Sequence, residues 1–177
     1  PAGLYRATWN GTSLDTPIAV GNNTDVQWVR LEPKPSADEM LLTYSDGTGS
    51  IYSYVWDGST FTNKMDILTG YASAAPAQPF DIAYTQSAGV GFVVWVDTNS
   101  TRPKYRYWDG YEWSAETTTS HDHCDLDDAR WIELASNPKN NELLLVTFDA
   151  ATAGSVDVNA EVWSSTLCVW LAGKELD

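Results

Sequence analysis

Basic residues are scarce: ten Lys and Arg stand against 24 Asp and Glu in 177 residues, leaving a formal charge of −14 at pH 7. A chain so poor in cations cannot neutralise a phosphate backbone, which excludes nucleic acid as a partner. The same deficit argues against an anionic membrane surface. No apolar run approaches the ~20 residues that a membrane-spanning helix needs, so insertion is not expected. Histidine occurs only at His121 and His123, in one loop, which makes a dispersed Ser-His-Asp triad a poor bet. Gly-x-Ser-x-Gly, phosphate-loop and His-Glu-x-x-His signatures are all missing. Cysteine is limited to Cys124 and Cys168, which allows two free thiols or a single bridge. The chain opens at Pro1 without Met or an apolar leader and reads as a mature or trimmed product.

Aromatic residues are abundant instead, with nine Trp and nine Tyr, and 43% of the chain is hydrophobic. Disorder is therefore excluded. Thr, Val, Tyr and Trp dominate, and no 3.6-residue periodicity accompanies them, so the segments read as strands. Self-similarity organises them. Trp9-Asn10-Gly11, Trp56-Asp57-Gly58 and Trp108-Asp109-Gly110 recur at about fifty residues, with a decayed copy at Trp163-Ser164-Ser165. A bulky residue follows each of the first three: Leu14, Phe61 and Trp113. A second ladder runs between these marks, through Trp28, Phe80 and Trp131, then through apolar runs that end near Asp46, Asp97 and Asp149. Each unit is expected to hold four short strands, the second apolar on both faces as a central strand must be. Asn-Gly or Asp-Gly joins the third to the fourth, because those pairs accept positive φ. Strands are placed at about 27–32, 39–46, 51–57 and 60–67, then repeated. Trp9, Trp56, Trp108 and Trp163 are expected at equivalent, buried places.

The repeated aromatic-Asp/Asn-Gly element resembles the β-propeller-like tandem repeats of secreted bacterial and archaeal surface proteins, and more loosely those of propeller lectins. The expected class is all-β: antiparallel four-stranded units arranged as a partial β-propeller, with a β-sandwich as the alternative. Residues 1–177 then form one repeat domain, with a half unit at 4–20 and full units at 27–70, 79–117 and 130–173. The half unit lacks a first-and-second strand pair. Its open edge predicts self-assembly, by strand pairing with a neighbouring subunit.

Candidate sites follow from residue chemistry. Tyr111 and Trp113, after the Asp109-Gly110 turn, could stack on a sugar ring, although repeated Trp more often serves packing between units. The loop carrying His121, His123, Asp125 and Asp127 has ligand types for Zn or Ca, at a spacing that matches no finger or EF-hand. A Cys124–Cys168 disulfide is preferred to the metal, and no other cofactor is implied. Asp46, Asp97 and Asp149 read as strand-end turn caps. Asn10, Asn22 and Asn99 begin Asn-x-Ser/Thr sequons, which with the low lysine content points to an extracellular glycoprotein. The leading functional expectation is a non-enzymatic structural or adhesive repeat protein of a cell surface or filament. A lectin-like carbohydrate-binding propeller is the alternative. A glycoside-active enzyme comes third, since nothing selects the two facing carboxylates it would need.

Overall fold

The computed structural model describes residues 3–21, 25–70, 78–97, 100–122, 129–150 and 156–176. These hold fifteen strands and no helix among the described residues. A hairpin comes first, β1 (Tyr5–Arg6) paired with β2 (Ile18–Ala19). One four-stranded antiparallel sheet follows: β3 (Val26–Pro33), β4 (Met40–Asp46), β5 (Ile51–Trp56) and β6 (Phe61–Leu68), in chain order. The next comprises β7 (Phe80–Tyr84), β8 (Gly91–Trp95), β9 (Lys104–Trp108) and β10 (Thr117–Thr118). The last comprises β11 (Ala129–Ser136), β12 (Leu143–Ala150), β13 (Val156–Ser164), β14 (Val169–Trp170) and β15 (Lys174–Glu175). Both β14 and β15 pair with β13, so together they fill the fourth-strand lane of that sheet. The expected units thus become three meandering sheets, and residues 4–20 contribute a third-and-fourth strand pair alone. The arrangement is a partial β-propeller in which no ring closes.

The joint between third and fourth strands is the same three times. The Oδ1 of Asn10 accepts from the amides of Thr12 and Ser13, both at 3.0 Å. Asp57 does so from Ser59 and Thr60, both at 2.9 Å. Asp109 does so from Tyr111 at 2.8 Å and Glu112 at 2.9 Å. These amides hold the Asp57 and Asp109 carboxyls below their ordinary pKa. Gly11, Gly58 and Gly110 follow at φ of 100°, 92° and 104°, where a Cβ would be strained. The turn folds each Trp back on its partner across the strands: Trp56 on Phe61 at 5.2 Å and Trp108 on Trp113 at 5.8 Å. The fourth copy keeps the pairing through a longer loop, Trp163 meeting Trp170 at 5.7 Å.

Cores form between sheets, because central strands are apolar on both faces. Leu41, Ile51 and Val55 of the first sheet pack with Phe80, Ile82, Val93, Trp95 and Trp108 of the second. Phe92, Val94, Val96 and Tyr105 face the other way and pack with Ile132, Leu134, Leu145 and Trp163 of the third. A smaller cluster of Val20, Leu42, Tyr44 and Tyr54 seats the hairpin on the first sheet. Each repeated Trp therefore turns toward the preceding unit, and its burial measures how much of that unit exists. Trp108 is 4% exposed behind a complete sheet, Trp56 is half-buried behind the hairpin, and Trp9, which no unit covers among the described residues, is 61% exposed. The four Trp are thus not equivalent in burial, and Trp9 is the exception for that reason.

The first strands of the three sheets converge on a polar junction. Arg30 of β3 pairs with Asp81 of β7 (Nε–Oδ1 3.1 Å) and with Glu133 of β11 (Nη2–Oε1 3.5 Å). It also donates to Gln78 Oε1 at 3.0 Å. Asp81 accepts from the Leu134 amide at 2.8 Å, and Gln78 donates to the Ile132 carbonyl at 2.6 Å. Trp28 and Trp131 meet edge to face at 6.2 Å. Burial outweighs these partners and pushes the Asp81 carboxyl up to about 6 from an ordinary 3.8.

Two predictions follow from this packing. Trp108→Ala should cost about 3–5 kcal/mol in denaturant unfolding, and Trp9→Ala less than about 1 kcal/mol; equal costs would contradict the burial order. For Asp81, a raised folded pKa means that the protonated group favours the native state. That contribution is complete below 3.8 and is lost as pH climbs through about 6. Between those limits the wild-type protein should lose on the order of 1–3 kcal/mol relative to Asp81→Asn. A difference in stability that does not change with pH would contradict this assignment.

Candidate functional site

Between the β7–β10 sheet and the β11–β15 sheet lies a groove of about 450 Å³. Packing sets its floor. Phe92 of β8 packs at a tilt on Tyr107 at 5.6 Å and on Trp163 at 4.9 Å, whose ring lies 5.9 Å from Tyr105. Tyr107 is half-buried and gives the groove its accessible aromatic surface, since Phe92, Tyr105 and Trp163 are buried. The rim carries hydroxyl and amide groups from both sheets: Ser114 and Thr117 from the second, Asn141 and Ser165 from the third.

These polar groups are held from behind. Ser114 Oγ accepts from the Tyr107 amide at 3.0 Å and donates to the Ala115 carbonyl. Its own carbonyl takes Arg106 Nη1 at 2.6 Å. Asn141 Oδ1 accepts from the amides of Ser87 and Ala88 at 2.6 and 2.8 Å, which ties the β11–β12 turn to the β7–β8 turn. The same two sheets are also tied through buried Glu161, which accepts from the Ser120 amide at 2.8 Å and from the Ser120 hydroxyl, joining β13 to the segment after β10. Desolvation by burial raises the Tyr105 hydroxyl above its ordinary pKa. The groove thus offers an aromatic face bordered by neutral, prepositioned hydrogen-bonding groups, and none of its described lining residues is charged.

Tyr111 and Trp113 lie on the hairpin that borders this groove but do not line it. Trp113 sits on the other face, where its indole donates to the Asn63 carbonyl of β6 at 2.8 Å and its ring packs on Trp108. Its role there is to join the second sheet to the first. Tyr111 stands at the turn tip, almost wholly exposed. Alternation explains the difference: Trp113 and Ser114 are adjacent, so they address opposite faces. Tyr107, Ser114, Thr117 and Asn141 were missed because each is an ordinary strand or turn residue in the sequence.

The other expected sites resolve unevenly. Asp46 caps its turn, accepting from the amides of Thr48 at 2.9 Å and Ser50 at 3.1 Å. Asp97 pairs with Lys104 at 2.9 Å. His121 is described, whereas His123, Asp125 and Asp127 lie outside the described residues; no metal-ligand group occurs among those that are described. Cys168 carries a free, exposed thiol at the edge of the groove, and its expected partner Cys124 lies outside the described residues. Asn10 is exposed with its side chain engaged in its own turn; Asn22 and Asn99 lie outside the described residues. No helix among the described residues is long and apolar enough to cross a membrane.

No protein-family model matches the chain. No curated protein matches it in sequence. Among solved structures it is similar to the lectin of Aleuria aurantia, as a single-site mutant in complex with Fucα1-6GlcNAc and again in complex with α-methyl-L-fucoside. In both the TM-score is 0.53 at 12% identity, over 98% of this chain. This chain covers 51% and 50% of the two lectin chains, and so spans about half their length. The likeness is one of fold, and that fold is the β-propeller.

The two picked aromatics should separate on mutation. Trp113→Ala should cost about 2–4 kcal/mol, mainly through lost packing on Trp108. Tyr111→Ala should change stability by less than about 0.5 kcal/mol. Equal losses in thermal or denaturant unfolding would overturn the placement of Trp113 between sheets.

Proposed function

We propose that this chain is a non-enzymatic, lectin-like carbohydrate-binding module that takes a sugar in the groove between its β7–β10 and β11–β15 sheets. One observation carries the reading: an accessible Tyr107 ring bordered by the neutral hydroxyl and amide groups of Ser114, Thr117, Asn141 and Ser165. A pyranose has an apolar C–H face and an equatorial fringe of hydroxyls. Such a ligand fits an aromatic surface with convergent polar groups, and the volume is within the range of small-molecule sites. The propeller likeness to a lectin solved with fucosides adds to the same reading.

Binding is favoured over hydrolysis because no carboxylate lines the groove among the described residues, whereas glycoside cleavage needs two facing each other. The acidic composition and the sequons fit a protein displayed outside the cell. The structural or adhesive role expected from sequence then becomes secondary: adhesion through glycans rather than through a scaffold.

The test is direct. Titration of the whole chain with α-methyl-L-fucoside, followed by a glycan array, should detect binding. Tyr107→Ala should lower affinity at least about tenfold, the loss of one stacking contact of ~1.4 kcal/mol or more. Tyr111→Ala should leave binding unchanged. An array with no signal from the folded chain would end the proposal, as would a Tyr107→Ala protein that binds like wild type.

A further inference from the structure

One hydrogen-bonding group of the groove has its orientation dictated by its neighbours. Asn141 Oδ1 accepts from the amides of Ser87 at 2.6 Å and Ala88 at 2.8 Å. A carboxamide nitrogen cannot accept from an N–H, so this side chain sits only one way round. Its oxygen has two lone pairs, and both are filled. The two hydrogens of Nδ2 are left without a partner among the described residues, on a residue that lines the groove. Asn141 is thus a donor there and nothing else.

The turn that carries it is braced independently. Asn137 and Asn140 both donate through Nδ2 to Glu142 Oε2, at 3.2 and 2.8 Å, and the Asn137 amide donates to the Glu142 carbonyl at 3.0 Å. The Glu142 carboxylate is thereby engaged within the turn, and Glu142 does not line the groove. Apolar surface lies beside the donor instead: Ala88, whose amide Asn141 holds, and Val90 of the same segment. Ser114 is the complement on the rim. Its hydrogen is spent on the Ala115 carbonyl at 3.0 Å and one lone pair on the Tyr107 amide, so what remains can only accept.

We propose that the groove prefers 2-acetamido sugars and that Asn141 is the residue that determines this preference; the inference rests on the reading of the groove as a sugar site. An acetamido group has three parts, and the groove has a counterpart for each. Its carbonyl oxygen takes an N–H of Asn141, its methyl lies on the apolar surface of Ala88 and Val90, and its N–H is left for an acceptor such as Ser114. A sugar hydroxyl in the same place would accept from Asn141 equally well. It would also bring a hydrogen that the filled Asn141 oxygen cannot receive, and an unpaired polar group costs more than one neutral hydrogen bond gains. The carbonyl brings no such hydrogen, and burial of the methyl adds to its advantage.

The test compares matched glycosides by calorimetric titration of the whole chain: methyl N-acetyl-β-D-glucosaminide against methyl β-D-glucoside, and the corresponding galacto pair. The wild type should prefer the acetamido member of at least one pair by about tenfold. Asn141→Asp keeps an acceptor for the Ser87 and Ala88 amides but has no hydrogen to donate. It should melt as the wild type does while its preference falls to about twofold or less. If Asn141 only shaped the turn, Asn141→Asp would weaken both members of a pair equally, and that result would overturn the assignment. Equal binding of both members of each pair by the wild type would overturn the preference itself, as would binding of none of the four. The sugar reading is judged separately, by the array and by Tyr107→Ala. A chain that binds sugars through Tyr107 without favouring the acetamido members retains that reading and loses this one.

Discussion

Phe92 and Trp95 sit three residues apart on one central strand and are buried in two different cores, one on each side of their sheet. That constraint governs the molecule. A sheet that is apolar on both faces cannot be stable alone and must lie between two neighbours. Each sheet is therefore a spacer as well as a wall, and removing one exposes surface on both adjacent units. Among the described residues, Trp9, Leu31, Leu144 and Phe148 lie on faces that no full sheet covers, and they are exposed.

Face packing alone would let the sheets slide, since apolar contact is non-directional. The junction of Arg30, Asp81 and Glu133 supplies direction. One guanidinium reaches two carboxylates on two other sheets, while the nearly buried carboxylate of Asp81 also holds the Leu134 amide. The arrangement fixes the relative height of three first strands. Its cost is the desolvation of Asp81, visible in the upward displacement of that carboxyl group. Register at the outer side is fixed separately, by the Asx turns and the aromatic pairs they fold together.

The period, the four-strand unit and the hairpin turns were legible because each depends on residues that recur. Asp-Gly with a Trp before it implies one backbone solution wherever it appears. The axial junction was not legible, because equivalent positions carry Arg30, Asp81 and Glu133, three different residues whose complementarity exists only once the strands converge. The inner ladder was also offset in places. Aromatic matching aligned Trp28 with Phe80 and Trp131, whereas register places Val29, Phe80 and Ile132 at one level, opposite Tyr44, Trp95 and Thr147. Trp170 escaped notice because its turn is longer than the other three. Residue type drew attention to Tyr111 and Trp113, when the face of the strand was what mattered.

Charge placement narrows what the groove can hold. The chain carries fourteen net negative charges, yet no Asp, Glu, Lys, Arg or His is among the described residues lining the groove. A neutral ligand meets there only dipoles and an aromatic surface, which need little desolvation on either side. An anionic ligand would approach through the negative field of the whole molecule and find no cation on arrival. Arg106, the nearest cation in sequence to the aromatic floor, is engaged with the Ser114 carbonyl behind the rim. On the proposed reading of the groove, the acidic surface disfavours sialylated or sulfated sugars relative to neutral ones. Selectivity of this kind costs the site nothing, because the repulsion is supplied by residues that never touch the ligand.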